Sequence, residues 1–289
     1  MRRLAIRLGG TRRATLRDAA WLLVVVAFAL ATLPAIAAFE VRDASPSALG
    51  TVSMDIDPEI LDASDDSDGR GWRVGASHAS LYQVEGLAAD QASARLERSG
   101  IVAALAWSQA GQPGARETRC RLALRERPAK RIALGVAVER LDVSLEGEPS
   151  AGGWAAGCGV QSSTKMRGVS LTAAIAADRL IQSGSLDPLR VEPSVPVSVQ
   201  VRAGAAAIAW IDRWESDGIR SPRIAIALAL GDAASIRIAR GGSPERIGTS
   251  ISLHLRGIEV AAGRLDLEAG GSVTGFSLVW MGPRVSGGD

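Results

Sequence analysis

Along the C-terminal third of the chain, large apolar residues alternate with small or polar ones. Ile247, Thr249, Ile251, Leu253 and Leu255 are separated by Gly248, Ser250, Ser252 and His254, with Arg256 next in the series. Successive side chains of a strand point to opposite faces, so this period of two predicts a strand with one apolar and one polar face. The pattern recurs at Ile224, Ile226, Leu228 and Leu230 around Ala225, Ala227 and Ala229, and at Ile132, Leu134, Val136 and Val138 around Ala133, Gly135 and Ala137. Pro, Gly, Asp and Ser interrupt the chain every 8 to 15 residues or roughly so, the rhythm of an antiparallel meander. No segment after residue 40 has the period of a long helix.

Candidate strands fall at residues 91–98, 101–109, 115–126, 130–145, 152–161 and 166–178 in the first half. The second half adds 195–203, 205–214, 222–231, 234–240, 247–256, 258–268 and 273–281. Single-chain bacterial barrels take an even number of strands, so about twelve are expected, with 91–98 the weakest. A soluble sandwich fills its shared core with large aromatic residues, yet aromatics are 4% of this chain. The faces opposite the apolar positions carry Ala and Gly mixed with Arg, Glu, Ser and Gln, which suits a lumen better than a second core. In lipid a sheet must close on itself, because unpaired edge groups cost several kcal/mol each. The expected fold is therefore all-β: an antiparallel up-and-down transmembrane barrel. The thin aromatic content is at odds with full interfacial girdles, although Trp107, Trp154, Trp210, Trp214 and Trp280 lie near expected strand ends.

The first residues stand apart. Arg2, Arg3, Arg7, Arg12, Arg13 and Arg17 precede an apolar run from Ala19 to Ala31, and Ala35, Ile36 and Ala37 offer a small-x-small cleavage site. The run is shorter than the roughly 20 residues of a spanning helix, and Pro34 interrupts its far end. Residues 1–37 are read as a cleaved signal peptide, 38–90 as an N-terminal segment with an acidic loop, 91–281 as the barrel and 282–289 as a tail. Without the leader, 27 basic and 30 acidic residues remain, a net charge near −3. No basic stripe interleaved with aromatics survives, which excludes a nucleic-acid partner. Membrane lipid is the expected partner.

Cys120 and Cys158 would meet an oxidising compartment, but an expected strand lies between them, beyond disulfide reach. Neither has a second Cys or His at zinc-ligand spacing. The acidic segment Asp55, Asp57, Glu59, Asp62, Asp65, Asp66 and Asp68 lacks the ligand pattern of a calcium loop and is read as a solvated connection. His78 and Tyr82, four apart, are read as a packed hydrogen-bonded pair. Enzymatic chemistry finds no footing: there is no nucleophile elbow, no phosphate-cradling glycine loop and no cofactor motif. The carboxylate pairs Glu215 with Asp217 and Asp266 with Glu268 are read as solvated. Candidate lumen residues are Glu139, Arg202, His254 and Arg256, whose charges would set the field inside a barrel narrow enough for side chains to fill much of it.

Three stretches resemble a known group. Ala38 to Gly50 is similar to the opening of PorV-like outer-membrane barrels, which are related to the FadL fatty-acid channels. Gly75 to Tyr82, followed by Gly86, Leu87 and Ala88, is similar to the segment before that group's first full strands, although its Asn-Pro-Ala-Gly-Leu element is absent here. Gly275, Phe276, Leu278 and Trp280 resemble the closing-strand signal shown to outer-membrane assembly machinery, with nine further residues after Trp280. The resemblance implies either passage of apolar or small solutes, or a scaffold or shuttle for exported proteins. The same residues leave open a different class: a periplasmic β-rich interaction module of a secretion apparatus, held in the inner membrane by an uncleaved leader.

Overall fold

The computed structural model describes residues 71–81, 84–98, 100–184, 193–215, 220–241, 246–267 and 271–282. The segment expected to be a signal peptide, the acidic segment, Tyr82, Asp217, Glu268 and the tail from residue 283 lie outside them. The described chain forms fourteen antiparallel strands: β1 (Gly71–Ser80), β2 (Ala88–Arg98), β3 (Ile101–Gln112), β4 (Ala115–Ala129), β5 (Ile132–Leu145), β6 (Ala151–Met166) and β7 (Val169–Gly184), then β8 (Ser194–Ala203), β9 (Ala206–Glu215), β10 (Arg223–Leu230), β11 (Ala234–Gly241), β12 (Arg246–Leu255), β13 (Ile258–Leu267) and β14 (Ser272–Met281). Each strand pairs with its neighbours in sequence, and β14 returns to pair with β1, so the barrel is closed. The seam runs in continuous register from Arg73 opposite Met281 to Ser80 opposite Thr274.

The count is fourteen, close to the roughly twelve expected. All thirteen segments picked out by their pattern are strands, including 91–98, and the strand not anticipated is β1. Its outward positions begin as Trp72 and Val74 but continue as Ala76 and His78, so the apolar alternation stops halfway. The barrel wall accordingly starts at Gly71, and residues 71–90 belong to it. With fourteen strands the lumen is wider than that of eight-stranded barrels, whose wall side chains alone fill the interior.

The face of the alternation is unambiguous. Ile224, Ile226, Leu228 and Leu230 are about half exposed, as are Ile247, Ile251, Leu253, Leu255, Leu134 and Val136. Among the described residues no second layer covers them, whereas their neighbours Ala225, Ser250, Ser252 and Ala133 are buried on the inner face. An apolar outer band of this kind is the surface that lipid, not water, stabilises.

The two ends differ. Connections of two or three residues join β2 to β3, β4 to β5, β6 to β7, β8 to β9, β10 to β11 and β12 to β13 at one end, where β1 starts and β14 stops. At the other end the connections run up to nine residues, between β7 and β8. Short turns and both strand termini mark the periplasmic side of such barrels, and longer loops the outer side. Trp72 and Trp280 lie at the short-turn end, Trp154 and Trp214 at the loop end, a sparse version of the two aromatic belts. Cys120 on β4 and Cys158 on β6 are both free, separated by β5 as the spacing argument required.

Candidate functional site

The inner wall is built by the residues between the outward apolar ones, and its charges are unevenly distributed. β4 carries Glu117, Arg119, Arg121 and Arg125 at spacings of two and four, hence on one face, and burial places that face inside. Arg119 bonds Glu117 along the same strand. On β2, Arg95 Nη2 donates to Glu97 Oε2 at 3.2 Å, both side chains being nearly buried. These are pairs at i and i+2, the separation at which strand side chains share a face.

The deepest cluster gathers four charges from β4, β5 and β7. Arg121 Nη1 donates to Glu139 Oε2 at 3.4 Å, and its Nη2 lies 3.8 Å from Asp178 Oδ1. Arg179 Nη2 donates to the other oxygen, Glu139 Oε1, at 3.1 Å. Asp178 and Arg179 are consecutive, so on a regular strand they would point to opposite faces. A bulge lets both turn inward: β6 and β7 slip register between Ala156 and Cys158, and Arg179 adopts φ 56°. A left-handed backbone at a non-glycine residue is costly and persists where surrounding structure holds it, here the carboxylate of Glu139. Gly157 makes room for the bulge, since a Cβ there would lie 2.8 Å from the Ala177 carbonyl oxygen.

The opposite wall is different in kind. From β8 to β12 the inner face presents Arg202, Arg213, Arg223, Arg237 and Arg246 among Ala, Ser and Gly. No carboxylate shares that face of these five strands among the described side chains. Arg213, Arg223 and Arg246 stand toward the loop end, Arg237 midway and Arg202 toward the short-turn end.

Of the four candidate lumen residues, Glu139 and Arg202 lie on the inner face. His254 also faces inward and bonds Glu259 Oε2 through Nε2 at 3.0 Å. Arg256 is misplaced by the alternation: strand β12 ends at Leu255, and Arg256 begins a two-residue turn, exposed, with φ 47° before Gly257 at φ 88°. Positive φ at both central positions is what a tight antiparallel turn demands. His78 has Asp90 as its partner, at 2.8 Å on the outer face, and its ring stacks 5.6 Å from Phe276. Sequence reasoning missed Arg121, Asp178, Arg179 and Arg237. Arg237 was legible, flanked by the outward Ile236 and Ile238; so was the period-two charge run of β4.

The outer face near the loop end carries its own polar groups. Asp212, 1% exposed, accepts from Trp214 Nε1 and Arg220 Nε, both at 3.0 Å, and Arg220 lies over the Trp214 ring. Arg140 Nε donates to Asp142 at 2.8 Å and lies over Trp154 at 5.4 Å. Arg264 pairs with Asp266 in the open. These pairs mark where the apolar band gives way to a headgroup region.

Two solved structures align over most of their length. A monoaromatic hydrocarbon channel, CymD, matches 84% of this chain and 98% of its own at 8% identity, with a TM-score of 0.56. A triple mutant of the Rhodopseudomonas blastica porin matches 74% and 99% at 10% identity, with a TM-score of 0.42. The first supports the closed antiparallel barrel as a fold. No protein-family model matches the chain, and no curated protein matches it in sequence.

Proposed function

We propose that the chain spans the outer membrane as a β-barrel and that its lumen passes small polar solutes. The observation that carries this reading is the division of the wall: half-exposed Ile, Leu and Val outside, Arg, Glu, Gln and Ser inside. A wall that excluded solutes would be better built from packed apolar side chains, because each charge held out of water is expensive. One cluster of inward apolar residues lies near the loop end, where Ala79, Leu81, Ala89 and Val273 are covered by one another and by Leu87 and Leu265, and Val102, Leu141, Val143 and Ile211 are buried elsewhere on the inner face. Among the described residues the inner face is mainly charged, polar or small, so a hydrocarbon passage of the kind named for the CymD channel is the less fitting version. The basic and apolar leader supports export. Phe276, Leu278 and Trp280 project outward from β14, an arrangement that suits presentation of the closing strand to assembly machinery. A barrel held by its own lipid-facing band has no need of an N-terminal helix anchor.

The test is reconstitution of the purified full chain. Protein that migrates faster unheated than heated should give discrete conductance steps in planar bilayers and admit small sugars in liposome swelling. Folded, inserted protein that gives neither would overturn the reading.

A further inference from the structure

We infer that the recess on the inner face of β5–β7, beside Asp178, is a binding station for an uncharged hydroxylated solute, a monosaccharide or a polyol. This rests on the passage reading and adds the solute's chemical class. The recess measures about 290 Å³; Gly135, Ala137, Gly157, Gly159 and Ala176 form its floor, and Asp178 stands at its rim. That volume is at the lower end of small-molecule sites, the scale of a single sugar ring. The floor is one surface by register, with Ala137 opposite Gly157 and Gly159 flanked by Gly135 and Ala176. Three adjacent strands that present only glycine and alanine leave a hollow in a wall otherwise lined by long side chains.

A second observation is independent of that floor. Asp178 is 6% exposed, and its Oδ2 finds no hydrogen-bond partner among the described residues. Its Oδ1 lies 3.8 Å from Arg121 Nη2. Gly157 leaves the carboxylate its place, since a Cβ there would stand 3.2 Å from Oδ1. Two neighbours share the deficit. Ser194, opposite Asp178 on β8, is 3% exposed with an unpartnered Oγ, and Gln161 on β6 is 5% exposed with an unpartnered Oε1. Gln161 is four residues along β6 from Gly157, about 14 Å by strand rise, so polar groups stand at both ends of the small-residue floor. A buried acceptor left unmade is costly, and a molecule that brings donors relieves it.

The charges around the recess select against ions. Arg121 and Arg179 balance Glu139 and Asp178, with Glu139 bonded by both arginines. An entering cation would meet Arg121, and an entering anion the Asp178 carboxylate. A hydroxyl meets neither objection: it donates to the carboxylate and can accept from the Ser194 hydroxyl at the same time. A ring carrying several hydroxyls reaches both ends of the floor and lays its C–H face on glycine and alanine.

The experiment follows the ion current of the full chain in planar bilayers as glucose is added. Glucose should lower the current saturably, with half-block in the millimolar range that a few hydrogen bonds support. Asp178→Ala should raise the half-blocking concentration roughly tenfold, and Gln161→Ala roughly threefold, each judged against that variant's own sugar-free current. Arg264→Ala, on the outer face, should block as the native barrel does. Glucosamine and glucuronate, which add a charge to the same ring, should block less well than glucose. If Asp178→Ala lacks heat-modifiable migration, Asp178→Asn and Gln161→Ala should shift the block in the same direction. A conducting barrel whose current ignores glucose, or falls equally in the native, Asp178 and Gln161 forms, would end this proposal and leave the passage reading standing. A folded barrel without conductance would end both.

Discussion

Arginine placed on the outer face should cost stability in proportion to its depth, and β12 offers a controlled series. Ile251 is the sixth of ten residues in the strand, 47% exposed, with Ile236 and Ala262 beside it on the same outward row. Leu255 is the last residue of the same strand and face, at the short-turn end. For a lipid-facing position at the bilayer midplane, Arg costs about 2–4 kcal/mol, and near the interface about 0–1. Ile251→Arg should therefore lower the folding equilibrium constant roughly 30-fold to 700-fold, at 1.4 kcal/mol per decade, and Leu255→Arg by less than about fivefold. Gln200→Arg, on the inner face of β8, meets a polar lumen and should lie near zero on the same scale. The assay is reversible guanidinium titration in lipid vesicles, followed by tryptophan fluorescence and by unheated gel migration. Equal costs for Ile251→Arg, Leu255→Arg and Gln200→Arg would refute the assignment of the apolar face to lipid, because a water-exposed or protein-covered face has no such depth profile.

Arg179 sits at φ 56° and also bonds Glu139, so its two roles separate: Arg179→Gly and Arg179→Ala both lose the ion pair, but the glycine variant should be more stable by about 1 kcal/mol in denaturant midpoint. Cys158 faces outward on β6, level with Val136, so in vesicles it should react with an apolar maleimide and resist a charged one, and mild oxidation should form no intramolecular bridge to Cys120 on a non-reducing gel. Removing Arg220 strips a buried carboxylate of a partner and should cost about 1–3 kcal/mol, whereas Arg264→Ala breaks a half-exposed pair worth about 0–1. Equal losses in equilibrium unfolding would count against the burial of Asp212.

Much of the wall was readable because lipid and lumen impose opposite demands on alternate residues. In β10 and β12 every outward position is aliphatic or Thr, as are the first four of β5, so strand, face and environment follow from the period alone. β1 escaped because its outward side chains turn to Ala76 and His78 where it approaches the loop end, and because its pairing with β14 is a contact between the two ends of the barrel that no local window contains. The bulge at Arg179 was equally hidden: a register slip depends on what β6 presents across the gap, here Gly157, and not on the sequence of β7. Arg256 shows the converse error, a period continued one residue past the strand because nothing in alternation announces a turn, although Gly257 did.

The lumen's two walls illustrate how one chain can hold many arginines inside a membrane. Each guanidinium in contact with hydrocarbon would be expensive, so the outer-face arginines stay near the rims, where Arg140 and Arg220 lie on tryptophan rings and reach toward headgroups. Inside, cost depends on water and on partners. The β4–β7 wall solves it with carboxylates, and the bulge that turns Arg179 onto Glu139 stabilises a cluster that a regular strand could not assemble. The β8–β12 wall sets its arginines mainly among Ala, Ser and Gly, which leaves room for water around them.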